Sequence, residues 1–155
     1  MLKEVLGIRT GILEDLHSDH REVSSLLERI LDVRSHSQRA EIFREMKAKL
    51  LAHSHAEAKV LYRKLERSKD EEVRKFAREG DVEHQLVEEQ LEELSRSRSK
   101  ESEQWTARLT VLQELVRHHI REEESRGFAS ARKEFDDDGL DKLGEQFRRE
   151  KEKLL

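Results

Sequence analysis

Residues 13–30 read LEDLHSDHREVSSLLERI, and the spacing of their apolar side chains indicates an amphipathic helix. Five apolar residues recur at steps that keep them on one face of a 3.6-residue period: Leu13, Leu16, Val23, Leu27 and Ile30. His20 falls on the same face, in the gap between Leu16 and Val23. We therefore expect a helix over roughly residues 10–33, with one histidine in its buried stripe.

Similar stripes predict three more long helices and a short one. The second is expected over roughly residues 37–67 and the third from residue 69 onward, since Ser35 and Ser68 have the spacing of a capping box. The fourth follows the basic tract SRSRSKES at 95–102, which we interpret as a loop between helices. The stretch DDDG at 136–139 is interpreted as a turn before a shorter final helix, because it lacks the other ligands of a calcium loop.

The composition favours helices packed through narrow apolar stripes. Of the 155 residues, 34% are hydrophobic and 43% charged, and there is no proline to punctuate a many-stranded sheet. The predicted fold is all-α, an antiparallel up-down four-helix bundle with an additional C-terminal helix, and an elongated coiled coil is the alternative. We expect the bundle to occupy residues 1–135, and residues 136–155 to form the turn and the short helix that packs on the bundle or extends from it.

Each of the four apolar stripes contains one histidine in register: His20, His53, His84 and His119. The histidines should also lie at one height, because neighbouring antiparallel helices align residues that are equally far from their connecting loop. His53 lies 15 residues before Ser68 and His84 lies 16 after it. The sequence therefore predicts that the four imidazoles share one layer inside the bundle.

Two of these histidines are followed by a glutamate one helical turn later, as His53 with Glu57 and His119 with Glu123. Buried carboxylates are destabilising unless cations neutralise them. With no cysteine in the chain, a metal here must use nitrogen and oxygen ligands, which suits iron, manganese or zinc. If both glutamates bridge two metals, a bridging oxide or hydroxide would leave roughly one open position per metal.

The sequence resembles the hemerythrin-like, or HHE cation-binding, family in four segments, which are LHSDH, LLAHSHAEAKVLY, DVEHQLVEEQLEEL and LVRHHIREEESRGF. The resemblance covers about residues 10–130 and implies a non-haem centre of two oxo- or hydroxo-bridged iron ions, with manganese or zinc as less favoured occupants. It implies six metal ligands: His20, His53, Glu57, His84, His119 and Glu123. The third helix lacks the second histidine of oxygen-carrying hemerythrins, so the resemblance is closer to bacterial members associated with peroxide decomposition, gas sensing or iron handling.

Other residues near these motifs receive different predictions. The pair His118 and Glu122 is rotated by about 100° from the apolar stripe, and His55 by about 200° from His53, so both should face away from the centre. Tyr62 is about 180° from His53 and is predicted to pack at the end of the bundle rather than to bind metal.

Two more residues of these motifs lie near predicted ligands in the sequence. Glu88 follows His84 by four residues but belongs to the acidic run EEQLEE, so a solvated position is favoured over a seventh ligand. His17 is expected to be a partly exposed helix residue. The alternative is that it contacts and supports a metal ligand.

These features predict a protein that reacts with a small molecule at a carboxylate-bridged metal pair. The leading hypothesis is catalase-like decomposition of hydrogen peroxide in stress defence, with dioxygen and nitric oxide as other ligands. A non-catalytic sensor of oxygen, nitric oxide or iron that signals to a partner is the alternative. A net charge of −4 and the lack of any long apolar run predict a cytoplasmic monomer or homodimer that binds neither nucleic acid nor membrane.

Overall fold

The computed structural model describes residues 8–155, and everything regular in that range is helical. Residues 1–7, at the start of the predicted first domain, lie outside the described residues. Two of the five helices contain a π-helical turn, in which the backbone hydrogen bonds run from i to i+5. The helices are α1 at Ile12–Asp32; α2 at His36–Glu57, continued by the π-turn Ala58–Tyr62 and by Arg63–Leu65; α3 at Glu71–Arg96; α4 at Glu103–Glu122, continued by the π-turn Glu123–Gly127 and by Phe128–Glu134; and α5 at Asp137–Leu154.

The predicted all-α bundle with a C-terminal helix is confirmed, and side-chain caps mark most helix starts. The Ser35 side chain accepts a hydrogen bond from the Gln38 amide, as its capping-box spacing predicts. The predicted cap at Ser68 is wrong, because Asp70 caps α3, which begins at Glu71, and the Ser68 hydroxyl instead accepts from the Asp70 amide. The DDDG stretch is not a separate turn, since Asp136 caps α5 and the helix begins at the next residue.

The buried apolar side chains form two clusters at opposite ends of the bundle. The Trp105 cluster includes Val23, Leu50, Val87 and Val116. The Phe147 cluster lies at the other end and includes the following residues: Leu16, Ala56, Tyr62, Phe76, Ala77, Phe128 and Phe147. On every bundle helix the change from one cluster to the other occurs around the histidine of the stripe. The histidine layer therefore separates two apolar cores.

Helix α5 packs against α1 and α2 and completes the Phe147 cluster through Leu140, Leu143 and Phe147. Gly11, just before α1, has a φ of 56° and lies against the backbone of Leu140, where an added Cβ would fall 2.2 Å from the carbonyl oxygen. Glycine at this position allows the start of α5 to approach the start of α1 closely. The division of the chain at residue 135 into two domains stays a prediction.

The two π-turns occur at equivalent places, directly after Glu57 in α2 and at Glu123 in α4. Each adds a residue to one turn, so that side chains five apart, rather than four, lie on the same face. Among residues 8–155, no helix is both long enough and apolar enough to cross a membrane.

Candidate metal centre

The structure brings together all six residues that the sequence predicts as metal ligands. They form two groups of three, in each of which the nitrogen and oxygen atoms lie within 4.8 Å of one another. The first group contains His20, His53 and Glu123, and the second contains Glu57, His84 and His119. Each group therefore offers two imidazoles from neighbouring helices and one carboxylate.

Each glutamate also lies close to the other group. Glu123 places Oε1 3.0 Å from Nε2 of His20, in its own group, and Oε2 3.5 Å from Nε2 of His119, in the other. Glu57 places Oε1 3.1 Å from Nε2 of His84 and 3.6 Å from Nε2 of His53. Both carboxylates thus lie between the two groups, which is the arrangement that bridging requires.

The arrangement of the donor atoms suits the binding of two cations better than hydrogen bonding among the side chains themselves. Both oxygens of Glu57, Oε1 of Glu123 and the Nε2 atoms of His20 and His53 are buried but have no aligned hydrogen-bond partner. Unpaired buried polar atoms are strongly unfavourable. A cation at about 2.1 Å from each of its donors would leave them roughly 3–4 Å apart, similar to the separations found here. A metal in each group would satisfy these atoms.

Three of the four histidines are oriented by a carboxylate on Nδ1. Asp19 lies 2.8 Å from Nδ1 of His53, Glu83 lies 2.9 Å from Nδ1 of His119, and Glu124 lies 2.7 Å from Nδ1 of His20. An acceptor at Nδ1 keeps the proton on that nitrogen and directs the lone pair of Nε2 toward a metal.

Sequence reasoning missed these three carboxylates. A signal was present, since each directly adjoins a predicted ligand along the chain: Asp19 precedes His20, Glu83 precedes His84 and Glu124 follows Glu123. A neighbour on the same helix is rotated by about 100°, and here it faces the histidine of the next helix.

Without metal, protons on the imidazoles compensate part of the buried negative charge. Burial, followed by repulsion from Glu123, raises the pKa of Glu57 well above its usual range. Burial would also raise the pKa of Glu123, but hydrogen bonds and the charge of His119 hold it well below its usual range. Burial opposes the charged form of His119, yet the carboxylates of Glu123 and Glu83 raise its pKa to about 10.

The other histidines differ according to their surroundings. Burial opposes the charged form of His20 as well, but the carboxylates of Glu123 and Glu124 beside it raise its pKa. Burial dominates at His53 and His84 and lowers the pKa of both. The layer therefore carries its positive charge at the two histidines closest to Glu123.

The predicted position of Tyr62 at the end of the bundle is wrong. Its side chain is fully buried, and its hydroxyl donates a hydrogen bond to Oε2 of Glu123. The hydroxyl oxygen of Tyr62 also lies 3.4 Å from Nε2 of His119. The π-turn explains the difference, because it aligns Tyr62 with Glu57, five residues earlier. A regular α-helix would separate two residues five apart by about 140° around the axis.

A small cavity adjoins the histidine layer on the side of the Trp105 cluster. Its volume is about 20 Å³, enough for one or two water-sized groups. The four histidines form one side and apolar residues form most of the other: Val23, Leu50, Val87, Val116 and Ile120. The glutamates extend toward the opposite side, with Tyr62. The free face of the centre is therefore apolar and confined.

The remaining candidate residues lie at or near the surface. His55 and Glu88 are each half exposed and approach one another at 3.6 Å, outside the centre. His118 is 57% exposed and lies 3.5 Å from Glu83. His17 is 20% exposed, and its Nδ1 lies 3.0 Å from both oxygens of Glu124, so it supports the partner of His20.

Comparison with known proteins agrees with this geometry. The family model described as the hemerythrin HHE cation binding domain matches residues 11–131. A protein of Nostoc sp. (strain PCC 7120 / SAG 25.82 / UTEX 2576), described as a DNA nickase, is 28% identical over 149 residues, which are 93% of this chain and 40% of that protein. The chain thus spans less than half the length of this relative. No solved structure matches it.

Proposed function

Because this chain belongs to the hemerythrin HHE cation-binding family, we propose that its buried centre holds two iron ions and decomposes hydrogen peroxide. Two histidine pairs that share two carboxylates support this proposal most directly. Imidazole and carboxylate donors suit iron, and manganese or zinc would be accepted by the same atoms. Dioxygen and nitric oxide are ligands of similar size.

The six ligands have separate roles in the proposed centre. His20 and His53 would hold one iron, and His84 and His119 would hold the other. Glu57 and Glu123, on the side of the Phe147 cluster, would contribute carboxylate oxygens to both. When bound, the two ions supply the redox change by which one peroxide is reduced to two waters while a second is oxidised to dioxygen.

The surrounding side chains control what reaches the centre. The cavity of about 20 Å³ has room for a ligand as small as peroxide beside the histidines. Its valines and leucine make the face at which such a ligand would enter largely apolar. On the opposite face the Tyr62 hydroxyl donates to Glu123 and holds that carboxylate in place.

Adjacent histidines provide matched controls for the test. In His53→Ala and His119→Ala we expect iron well below two per chain and loss of oxygen release from peroxide, because each substitution removes one imidazole donor. In the neighbours His55→Ala and His118→Ala, whose side chains are 50% and 57% exposed, both quantities should stay at the wild-type level. Metal analysis, the optical spectrum and an oxygen electrode provide the readings.

Two results would contradict the proposal. If wild-type protein from iron-replete cells contains far less than two metal ions per chain, the proposed centre of two metals is contradicted. Full metal occupancy without oxygen release would contradict the proposed peroxide reaction but not the proposed binding of cations. Manganese or zinc in place of iron would reassign the metal.

We also propose that the partner is a small molecule rather than nucleic acid. The Nostoc protein is described as a DNA nickase, and most of its length lies outside the matched part. In this chain the two glutamates are at most 1% exposed, so a phosphodiester of duplex DNA would not reach them. The cytoplasmic location and the monomeric or homodimeric state stay predictions.

A further inference from the structure

We propose that the C-terminal helix α5 is part of the metal centre, with Lys151 acting as a positioning residue for the ligand His53. This inference rests on the proposed function, because it takes His53 as a metal ligand. Helix α5 begins after residue 131, where the match to the family domain ends. Its contacts with the centre are therefore a feature of this chain beyond the matched domain.

A chain of hydrogen bonds runs from α5 to the ligand. Nζ of Lys151 lies 2.8 Å from Oδ1 and 2.9 Å from Oδ2 of Asp19. Oδ2 of Asp19 lies 2.8 Å from Nδ1 of His53. The side chains of Asp19 and Lys151 are only 16% and 22% exposed, so their interaction is less screened than that of a surface ion pair. One ammonium group thus fixes both oxygens of the carboxylate that orients His53.

A second contact from α5 reaches the imidazole itself. The Phe147 ring meets the His53 ring edge to face, with centroids 5.7 Å apart and planes at 85°. The Lys151 ammonium lies 4.9 Å from the Phe147 ring centroid. Residues 147 and 151 are one helical turn apart, so a single face of α5 fixes both the tilt of the ring and the partner of its Nδ1 atom.

Among residues 8–155, no lysine or arginine pairs with the carboxylates that orient the other two histidines. Glu124, the partner of His20, contacts His17, and Glu83, the partner of His119, contacts His118. An outer carboxylate increases the affinity of its histidine for a metal when it is ionised and held in place. Lys151 favours both conditions at Asp19. We therefore expect α5 to slow the loss of metal from the group that contains His53.

Lys153 offers a control on the same helix. Its side chain is 68% exposed and pairs with Glu150 at 3.1 Å, away from the centre. Lys151→Met and Lys153→Met remove the same charge and keep an unbranched side chain, while Lys151→Arg restores a cation beside Asp19. Deletion of α5 would be less informative, because it would also remove Leu140, Leu143 and Phe147 from the core.

The test measures the rate at which iron passes from each loaded protein to an excess of chelator, together with the melting temperature of each metal-free protein. We expect Lys151→Met to release iron faster by on the order of tenfold, the low end for loss of an outer partner of a ligand. Lys151→Arg and Lys153→Met should release iron at the wild-type rate. The metal-free proteins should melt alike, since a role limited to helix packing would instead lower the melting temperature.

Three outcomes would overturn the inference. They are iron release from Lys151→Met at the wild-type rate, iron release from Lys153→Met as fast as from Lys151→Met, and a Lys151→Arg protein that does not restore slow release. Wild-type protein that takes up no iron would instead overturn the proposed function on which the inference depends.

Discussion

Glu57 and Glu123 are buried side by side, and the groups around each carboxyl decide which of the two is ionised. Without metal, Glu123 is the ionised member, with His20, His119 and Tyr62 around it. Burial, and then the charge of Glu123, raises the pKa of Tyr62 well above its usual range, so its hydroxyl keeps its proton and acts as a donor. Tyr62 is therefore a fixed donor to a bridging carboxylate.

Replacement of Tyr62 by phenylalanine tests this role. The ring should stay in place, because it packs edge to face on Phe76 at 5.9 Å and stacks on His84 at 5.1 Å. Loss of the donor leaves Glu123 less satisfied, so we expect the metal-free protein to lose about 1–3 kcal/mol in its free energy of unfolding. The optical bands of the iron-loaded protein should shift. Urea unfolding and an absorption spectrum measure the two effects, and an unchanged spectrum would contradict a donor role at the centre.

The residues that line the candidate centre were predictable from sequence because each is in register with the apolar stripe of its own helix. His20 and His119 interrupt stripes that can be read without knowing any neighbour. Asp19 was not predictable in the same way, since its importance depends on facing His53 across a helix interface. A helical wheel gives the angle of a residue around its own axis but does not say which neighbour it meets.

At the scale of helices, the π-turns explain why the structure departs from the helical periodicity that the sequence predicts. The wheel assigns Tyr62 to the side opposite His53, and one extra residue in the turn after Glu57 brings it to the centre. Nothing in AKVLY signals a π-turn, because its side chains suit an α-helix equally well. The turns in α2 and α4 both lie beside a buried glutamate of the layer.

The close approach of α3 to this turn leads to a second prediction. Gly80 of α3 lies against Tyr62, and an added Cβ would fall 2.7–2.8 Å from the edge of its ring and from its hydroxyl. In an exposed helix, Gly→Ala stabilises by roughly 0.5–1 kcal/mol. Here we expect Gly80→Ala to destabilise by about 1–3 kcal/mol through overpacking and to shift the optical spectrum, as Tyr62→Phe does.

The control for this substitution is Glu79→Ala, one residue earlier on α3, where the side chain is 47% exposed and contacts Arg126. This variant should leave the spectrum unchanged. A more stable Gly80→Ala protein with a wild-type spectrum would show that Tyr62 is not held against α3.

For the molecule as a whole, the polar layer lies between two apolar clusters. The Trp105 and Phe147 clusters each draw side chains from several helices, so the bundle has packed cores on both sides of the centre. We therefore expect the metal-free protein to remain helical. Metal should stabilise it further by mass action, since ions that bind only the folded state shift the equilibrium toward it.

Metal removal should lower the melting temperature by an amount that grows with pH. At a free metal concentration of about 100 times the dissociation constant the gain is ~2.7 kcal/mol, or roughly 5–10 °C for a chain of this size. The pKa of His119 is about 10 when folded, against an ordinary value of 6.5. Its contribution to stability is complete below pH 6.5 and is lost as the pH rises toward 10.

Two other groups of the buried layer act in the same direction. The pKa of His20 is raised above its ordinary 6.5 and that of Glu57 above its ordinary 4.5, so each keeps its proton in the folded metal-free protein to a higher pH than in the unfolded chain. The lowered pKa values of His53 and His84 act only below pH 6.5. The melting temperature of metal-free protein should therefore fall between pH 7 and 9.5.

The iron-loaded protein should change less over the same range, because metal replaces those protons and binds more tightly as they leave. Calorimetry of both forms across the range measures the widening gap, and His118→Ala, which leaves the buried layer intact, should reproduce it. A metal-free melting temperature that rises with pH would contradict this prediction, because it would mean that imidazolium does not compensate the buried carboxylates.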